Sequence, residues 1–323
     1  LAERAVGDRL GLVVFAGEAR LVVPLTADRA SFSTLVDLAD PYAVRKGGTD
    51  LGAALETSLD ALAWREGTAG VVLLLTDGED LSGRGERIAL VIGNSDYAHT
   101  TKLANPGNDA ISMSDTLREA GFSVTRLIDA DQSTMKRALL EFGRNLRSGD
   151  VDAGLFFYAG HGVQVKGENY LVPVNARILD EDEIDLEAVN VNDFLQVMNS
   201  SNADINIVIL DACRNNPFAG SSRSAARGLA PVDAPKGTLI AYATAPGDVA
   251  LDGTGRNSPY TSALTKAIES GRGRTIESVF KSARRNVLAA TGDKQTPWET
   301  SSIVGDFFFH SDPDDPATAS VKE

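Results

Sequence analysis

The chain of 323 residues is long enough for about two domains, and 43% of its residues are hydrophobic, enough to bury real cores. A formal net charge of −14 repels a phosphate backbone and argues against nucleic acid as a partner. No apolar run approaches the roughly 20 residues a membrane helix needs, no signal peptide is visible, and a single cysteine excludes an internal disulfide. The chain opens on Leu1 rather than Met and is read as a piece of a longer protein, which leaves cytoplasm and periplasm both open as its compartment.

Strand-like and helix-like runs alternate along the chain, the pattern of an α/β fold with a mostly parallel sheet. Residues 11–16 (GLVVFA) and 20–24 (RLVVP) predict a pair of strands. Residues 49–64 predict a helix from their apolar spacing, and 70–75 (GVVLLL) predict a buried strand that ends at Thr76-Asp77-Gly78. A short polar stretch with glycine, LSGRGE at 81–86, marks a boundary, so the expected units are 1–82 and 83–310. The second unit is predicted to have strands at 87–93, 122–127, 154–159, 205–210, 238–244 and 304–309, and helices at 109–120, 132–146 and 275–290. The Pro- and Asp-rich tail, 311–323, is predicted to be disordered.

Two of these strands run straight into chemistry. The run at 154–159 leads into Gly160-His161-Gly162, and the run at 205–210 leads into Asp211-Ala212-Cys213. In open α/β sheets, sites form outside the carboxyl ends of the strands, so neighbouring strand ends would bring His161 and Cys213 together. A cysteine needs an adjacent base to become a nucleophilic thiolate near neutral pH, and histidine has the pKa for that work. The backbone N–H groups of Gly162 and Cys213 are the natural donors to an oxyanion. Either residue alone has a plainer explanation, since a lone cysteine after an apolar strand is commonly a packing residue. Together, histidine first and cysteine about 50 residues later, they fit the spacing of caspase-type sites, although Asp211 and Asn215 depart from the ends of the Q-A-C-[RQG]-G signature.

Residues 87–309 resemble the orthocaspases, bacterial relatives of caspases and metacaspases. The resemblance rests on RIALVIGNSDY (87–97), NDA (108–110), FFYAGHG (156–162), NYLVPVNA (169–176), ILDACRNNPF (209–218) and YATAPG (242–247), which occur in the family's order. It implies a caspase-like sandwich, a central sheet with helices on both faces, and cysteine endopeptidase activity on protein or peptide substrates. In metacaspase-like enzymes, the residues matching Asp211 and Asp109 form an acidic pocket for Arg or Lys at P1, and a carboxylate pair suits a guanidinium. The plainer reading of Asp109 is a carboxylate favoured at a helix N-terminus. The stretch 214–236 lies where family members carry a cleavable linker, and its Arg223 and Arg227 are candidate self-processing sites. Some metacaspases are activated by calcium, but the acidic run DEDEIDLE at 180–187 is read as a solvated face, and Asn175 stands where relatives often have Asp. No cofactor is expected.

Residues 7–80 resemble part of a von Willebrand factor A domain through GDRLGLVVFAGEA (7–19), GGTDLGAAL (47–55) and LLLTDGED (73–80). Thr49 and Asp77 match two of that family's metal ligands, but the Asp-x-Ser-x-Ser loop and its strand are missing. Two oxygen ligands are too few for a hard cation, so no metal is assigned. The leading expectation is a peptidase that cuts after Arg or Lys. A catalytically silent caspase-like scaffold is the rival, and a preference for acidic P1 is disfavoured because Asp211 would repel it.

Overall fold

The computed structural model describes residues 8–15, 19–37, 51–62, 71–73, 86–148, 151–201, 203–213, 229–245, 248, 250–253 and 255–310, with Cys213 described in its backbone alone. The chain divides into two compact units, the first reaching Arg84 and the second beginning at Gly85.

In the first unit, β1 (Leu10–Phe15) and β2 (Ala19–Thr26) form an antiparallel hairpin, as their paired apolar runs predict. Helix α1 (Arg29–Asp37) begins where the Asp28 carboxylate accepts hydrogen bonds from the N–H groups of Ala30 and Ser31, and α2 (Leu51–Leu62) falls within the predicted helix. Of the buried strand expected at 70–75, only Val71, Val72 and Leu73 are described; they lie outside any strand, and Val71 is 85% exposed, while residues 70, 74 and 75 lie outside the described residues. A central strand needs neighbours on both sides to satisfy its backbone, and the described residues of this unit supply only a two-stranded hairpin. Thr49 and Asp77 lie outside the described residues.

The second unit grows from apolar runs that are hydrophobic on both faces, the mark of strands buried inside a parallel sheet. Its elements are β3 (Glu86–Gly93), α3 (Pro106–Glu119), β4 (Ser123–Ile128), α4 (Gln132–Arg147), β5 (Val151–Val165), β6 (Glu168–Leu171), α5 (Ile184–Glu187), β7 (Val189–Asn190), α6 (Val191–Asn199), β8 (Ile205–Cys213), β9 (Thr238–Tyr242), α7 (Pro259–Glu269), α8 (Ile276–Thr291) and β10 (Trp298–Ser301). The strand order is β10-β9-β8-β5-β3-β4; all pairs are parallel except β9 with the edge strand β10, and β6 and β7 continue antiparallel from β5. Side chains alternate along β5: Leu155, Phe157 and Ala159 pack on one face with α3, α7 and α8, while Phe156 and Tyr158 pack on the other with α4 and α6. The result is the sandwich expected of a caspase-like chain.

The chain runs outward from β3 to β4, then returns to lay β5 on the other side of β3. That reversal makes the carboxyl ends of β3 and β5 the switch point of the sheet, where a crevice opens for ligands.

The strand expected at 304–309 is also corrected. Its only ladder contact is an isolated bridge from Phe308 to Thr275, and the edge strand is instead the polar β10. Phe307 and Phe309 plug the core against Phe122, and Arg87 pins them. The Arg87 guanidinium lies 5.0 Å from the Phe307 ring and 5.8 Å from that of Phe122, and it donates to the carbonyls of Phe309 at 2.9 Å and Ala120 at 3.2 Å. Hydrogen bonds from a charged donor contribute about 1.5–3 kcal/mol. Arg87→Met should therefore lower the stability of this unit by about 2 kcal/mol, read as a lower urea midpoint at unchanged slope.

Candidate active site

The last rungs of the β5–β8 ladder set the site. Their parallel register pairs Ala159 with Asp211, Gly160 with Ala212 and His161 with Cys213. The strands therefore continue through these residues rather than ending before them as the sequence suggested. Beyond His161, β5 leaves β8 for the antiparallel partner β6, pairing Gly162 with Leu171. A side chain at Gly162 would come within 3.0 Å of the Ala212 Cβ, so this glycine lets the two strands close up beside the histidine.

His161 is buried. Its Nε2 lies 2.7 Å from the carbonyl oxygen of Thr101, in the loop that follows β3. A carbonyl only accepts, so Nε2 carries the proton and the neutral ring keeps its lone pair on Nδ1, which has no partner among the described residues. Burial pushes the His161 pKa below its ordinary value, partly offset by the Thr101 hydrogen bond and the negative charge of Asp252. The ring is thus a neutral base at neutral pH, with one nitrogen tethered and the other available.

Asp109 and Asp211 converge on the N-terminus of α7. The N–H of Ser258 donates to Asp109 Oδ1 at 2.9 Å, and its hydroxyl donates to Asp211 Oδ2. Asn257 Nδ2 adds a 2.9 Å bond to Asp109, and the Thr261 hydroxyl a 2.7 Å bond to Asp211. Ser258 also caps the helix, its Oγ accepting from Thr261 N at 3.0 Å, with Pro259 at the first helical position. Both carboxyls are buried. Burial, then the charge of Asp211, raises Asp109 to about 8; burial also raises Asp211, against the hydrogen bonds from Ser258 and Thr261.

The structure thus brings His161 and the Cys213 backbone together on one rung, and Asp109 and Asp211 to one helix end. Arg223 and Arg227 lie outside the described residues. Sequence reasoning missed Asp252, a half-buried carboxylate whose charge is felt by Asp109, Asp211 and His161. It accepts from Ala104 N at 3.3 Å, and its carbonyl accepts from Asn105. Nothing local announced it. The Asn257-Ser258-Pro259 run, a readable helix start, could have pointed to the donors beside it. The acidic run at 180–187 forms a turn and the short α5, with Asp180, Asp182 and Asp185 exposed. Among the described residues no group of three or more His, Cys, Asp or Glu side chains is arranged to hold a metal.

Residues 86–308 match the family described as Caspase domain, and residues 1–79 match the von Willebrand factor type A domain. The chain is 33% identical over 129 residues to human mucosa-associated lymphoid tissue lymphoma translocation protein 1, and equally to its mouse homolog. The match covers 40% of this chain and only 15% of either relative. It is also similar to an uncharacterized protein of Borreliella burgdorferi, 39% identical over 72 residues, covering 22% of this chain and 20% of that protein.

The acid pair makes a prediction about stability. Unfolded, Asp109 ionises near 4; folded, it holds its proton up to about 8. The folded state therefore binds the extra proton over this window, and its stability falls as pH rises from about 4 to about 8. Asp109→Asn keeps an oxygen for Asn257 and Ser258 and removes the ionisable group. It should raise the Tm by about 4–8 °C at pH 8, equivalent to about 2 kcal/mol, and by progressively less in scans stepped down to pH 5.

Proposed function

The chain belongs to the caspase-domain family, a family of cysteine peptidases, and from that membership we propose that it is an endopeptidase that cuts after Arg or Lys. The observation that carries this reading is the His161–Cys213 rung together with the tether that leaves His161 Nδ1 as the free base. The Cys213 thiol gives its proton to Nδ1, and the sulfur attacks the scissile carbonyl. The N–H groups of Gly162 and Cys213 hold the resulting oxyanion. Collapse expels the amine, which takes the proton back from His161, and leaves a thioester. Water, deprotonated by the same Nδ1, then releases the acid and regenerates the thiol.

The P1 preference rests on charge. Two buried carboxyls, held protonated by burial and mutual repulsion, and the half-buried Asp252 form an acidic site with no cation beside it among the described salt bridges. The bonds from Asn257, Ser258 and Thr261 fall on one oxygen of each carboxylate, which leaves the other for a ligand. A guanidinium or ammonium would replace the shared repulsion with attraction, whereas an acidic P1 would add to it. The human and mouse relatives are matched over a small part of their length, so their own substrates carry no weight in this assignment.

Fluorogenic peptides differing only at P1 test this directly. Arg and Lys should be cleaved and Asp left intact, and Cys213→Ala or His161→Ala should abolish turnover without loss of fold. Asp211→Asn should cut kcat/KM for Arg by about 30-fold or more, since losing one partner of a desolvated charge pair costs about 2–5 kcal/mol. A folded wild type inert to every P1 would instead mark a silent scaffold.

The same preference makes the 214–236 stretch a substrate, with cleavage after Arg223 or Arg227. Intact-mass measurement should find two fragments meeting at one of these residues in the wild type and a whole chain in Cys213→Ala. A whole, active wild type would remove self-processing and leave the endopeptidase reading standing.

A further inference from the structure

Resting on the reading of His161 as the base, we propose that Tyr97 and Tyr158 are positioning residues that clamp the His161 backbone between two phenols. The two hydroxyls close a hydrogen-bond circuit on this one residue. The N–H of His161 donates to Tyr97 Oη at 2.7 Å. Tyr158 Oη donates to the His161 carbonyl at 2.9 Å and, shared, to that of Val172 at 3.0 Å. Carbonyls only accept, so the Tyr158 proton is spoken for, and the 3.3 Å contact between the phenols is a donation from Tyr97 to Tyr158. The circuit runs from the His161 N–H through Tyr97 and Tyr158 back to the His161 carbonyl. The Tyr97 ring also tilts against the imidazole, with centroids 4.5 Å apart.

The glycine before the histidine makes room for this clamp. Gly160 has φ +151°, and a Cβ there would meet Tyr97 Oη at 2.6 Å and Tyr158 Oη at 2.7 Å. The phenols stand in the space where a side chain would go. This matters because β5 changes partner here, from β8 to β6. The His161 carbonyl also accepts from the Val172 N–H at 3.0 Å, so the phenols add to a single backbone bond at the point where the ladders change over, and catalytic groups need placement to within about 0.5 Å. Both phenols are fully buried, so water does not compete for these bonds.

Tyr97→Phe, Tyr158→Phe and the double variant keep both rings and remove only the hydroxyls. Each single variant should lower kcat on an Arg peptide about tenfold with KM within about twofold, because substrate binding is untouched. The double variant should lose about as much as either single, because one broken bond opens the whole circuit. A second readout is alkylation of Cys213 by iodoacetamide across pH, which reports that residue uniquely because it is the only cysteine. Wild type should react with a limb below the ordinary thiol range, abolished in His161→Ala, and the Phe variants should move the limb upward toward about 8.5. If His161→Ala leaves alkylation unchanged, the dyad fails and this proposal fails with it. If the dyad signature is present but the Phe variants keep wild-type kcat and limb, or lose kcat and KM together with the limb in place, the clamp alone is overturned. A variant that melts early is replaced in the comparison by the other single variant, measured below its Tm.

Discussion

The register of β5 against β8 is the constraint on which the rest of the site depends. Nine consecutive pairs, from Ala153 with Ile205 to His161 with Cys213, hold it. A slip of one residue would turn every side chain of β8 to the opposite face. Ile207 and Ile209 would then leave the core shared with α3, α7 and α8, and Asp211 would turn away from α7. The apolar burial that specifies the sheet therefore also specifies the site. Neither His161 nor Cys213 has to contribute to the register for their backbones to meet, which on the proposed function leaves the two side chains free to be chosen for chemistry.

The acid pair shows the opposite relation between stability and function. Asp109 and Asp211 are buried side by side with no cation among the described residues, and both are driven toward protonation. Ser258 limits the cost by serving both carboxylates and capping α7 at once. The partial positive charge at that helix end acts in the same direction. On the proposed function, a basic ligand would draw both carboxyls back toward their charged forms, and recognition would rest on the acid pair held in place by the helix start.

Much of this was legible in the sequence, and the exceptions share a cause. The strands at β3, β5 and β8 read clearly because strands covered on both faces are continuous apolar runs. The segment 304–309 reads the same way, but its Phe307 and Phe309 pack as a plug, because Arg87, 222 residues before Phe309, and Phe122 offer a socket rather than a ladder. β10, with the sequence WETS, carries no such signal, since an edge strand can be polar. Residues 71–73, the described part of the 70–75 run, have the composition of a central strand but lie outside any strand, and the described residues of their unit offer only a hairpin. In the site, His161 and Cys213 were visible through order and spacing, Asp109 and Asp211 through resemblance. Asp252, Thr101 and the two tyrosines were not, because their part is set by contacts across the fold and not by any local pattern.

The way His161 is held keeps its ring neutral in the neighbourhood of an acidic cluster. A carboxylate partner would orient the ring but would also favour its charged form. The Thr101 carbonyl supplies the same orientation as a dipole, without a full charge, and burial then outweighs its effect on the pKa. The phenol clamp follows the same economy. It holds the backbone with neutral groups, and among the described residues the charge felt by His161 is that of Asp252. On the proposed function, neutral hydrogen bonds place the base and the acidic groups serve recognition; Asp252 is felt by both, and at His161 burial outweighs its charge.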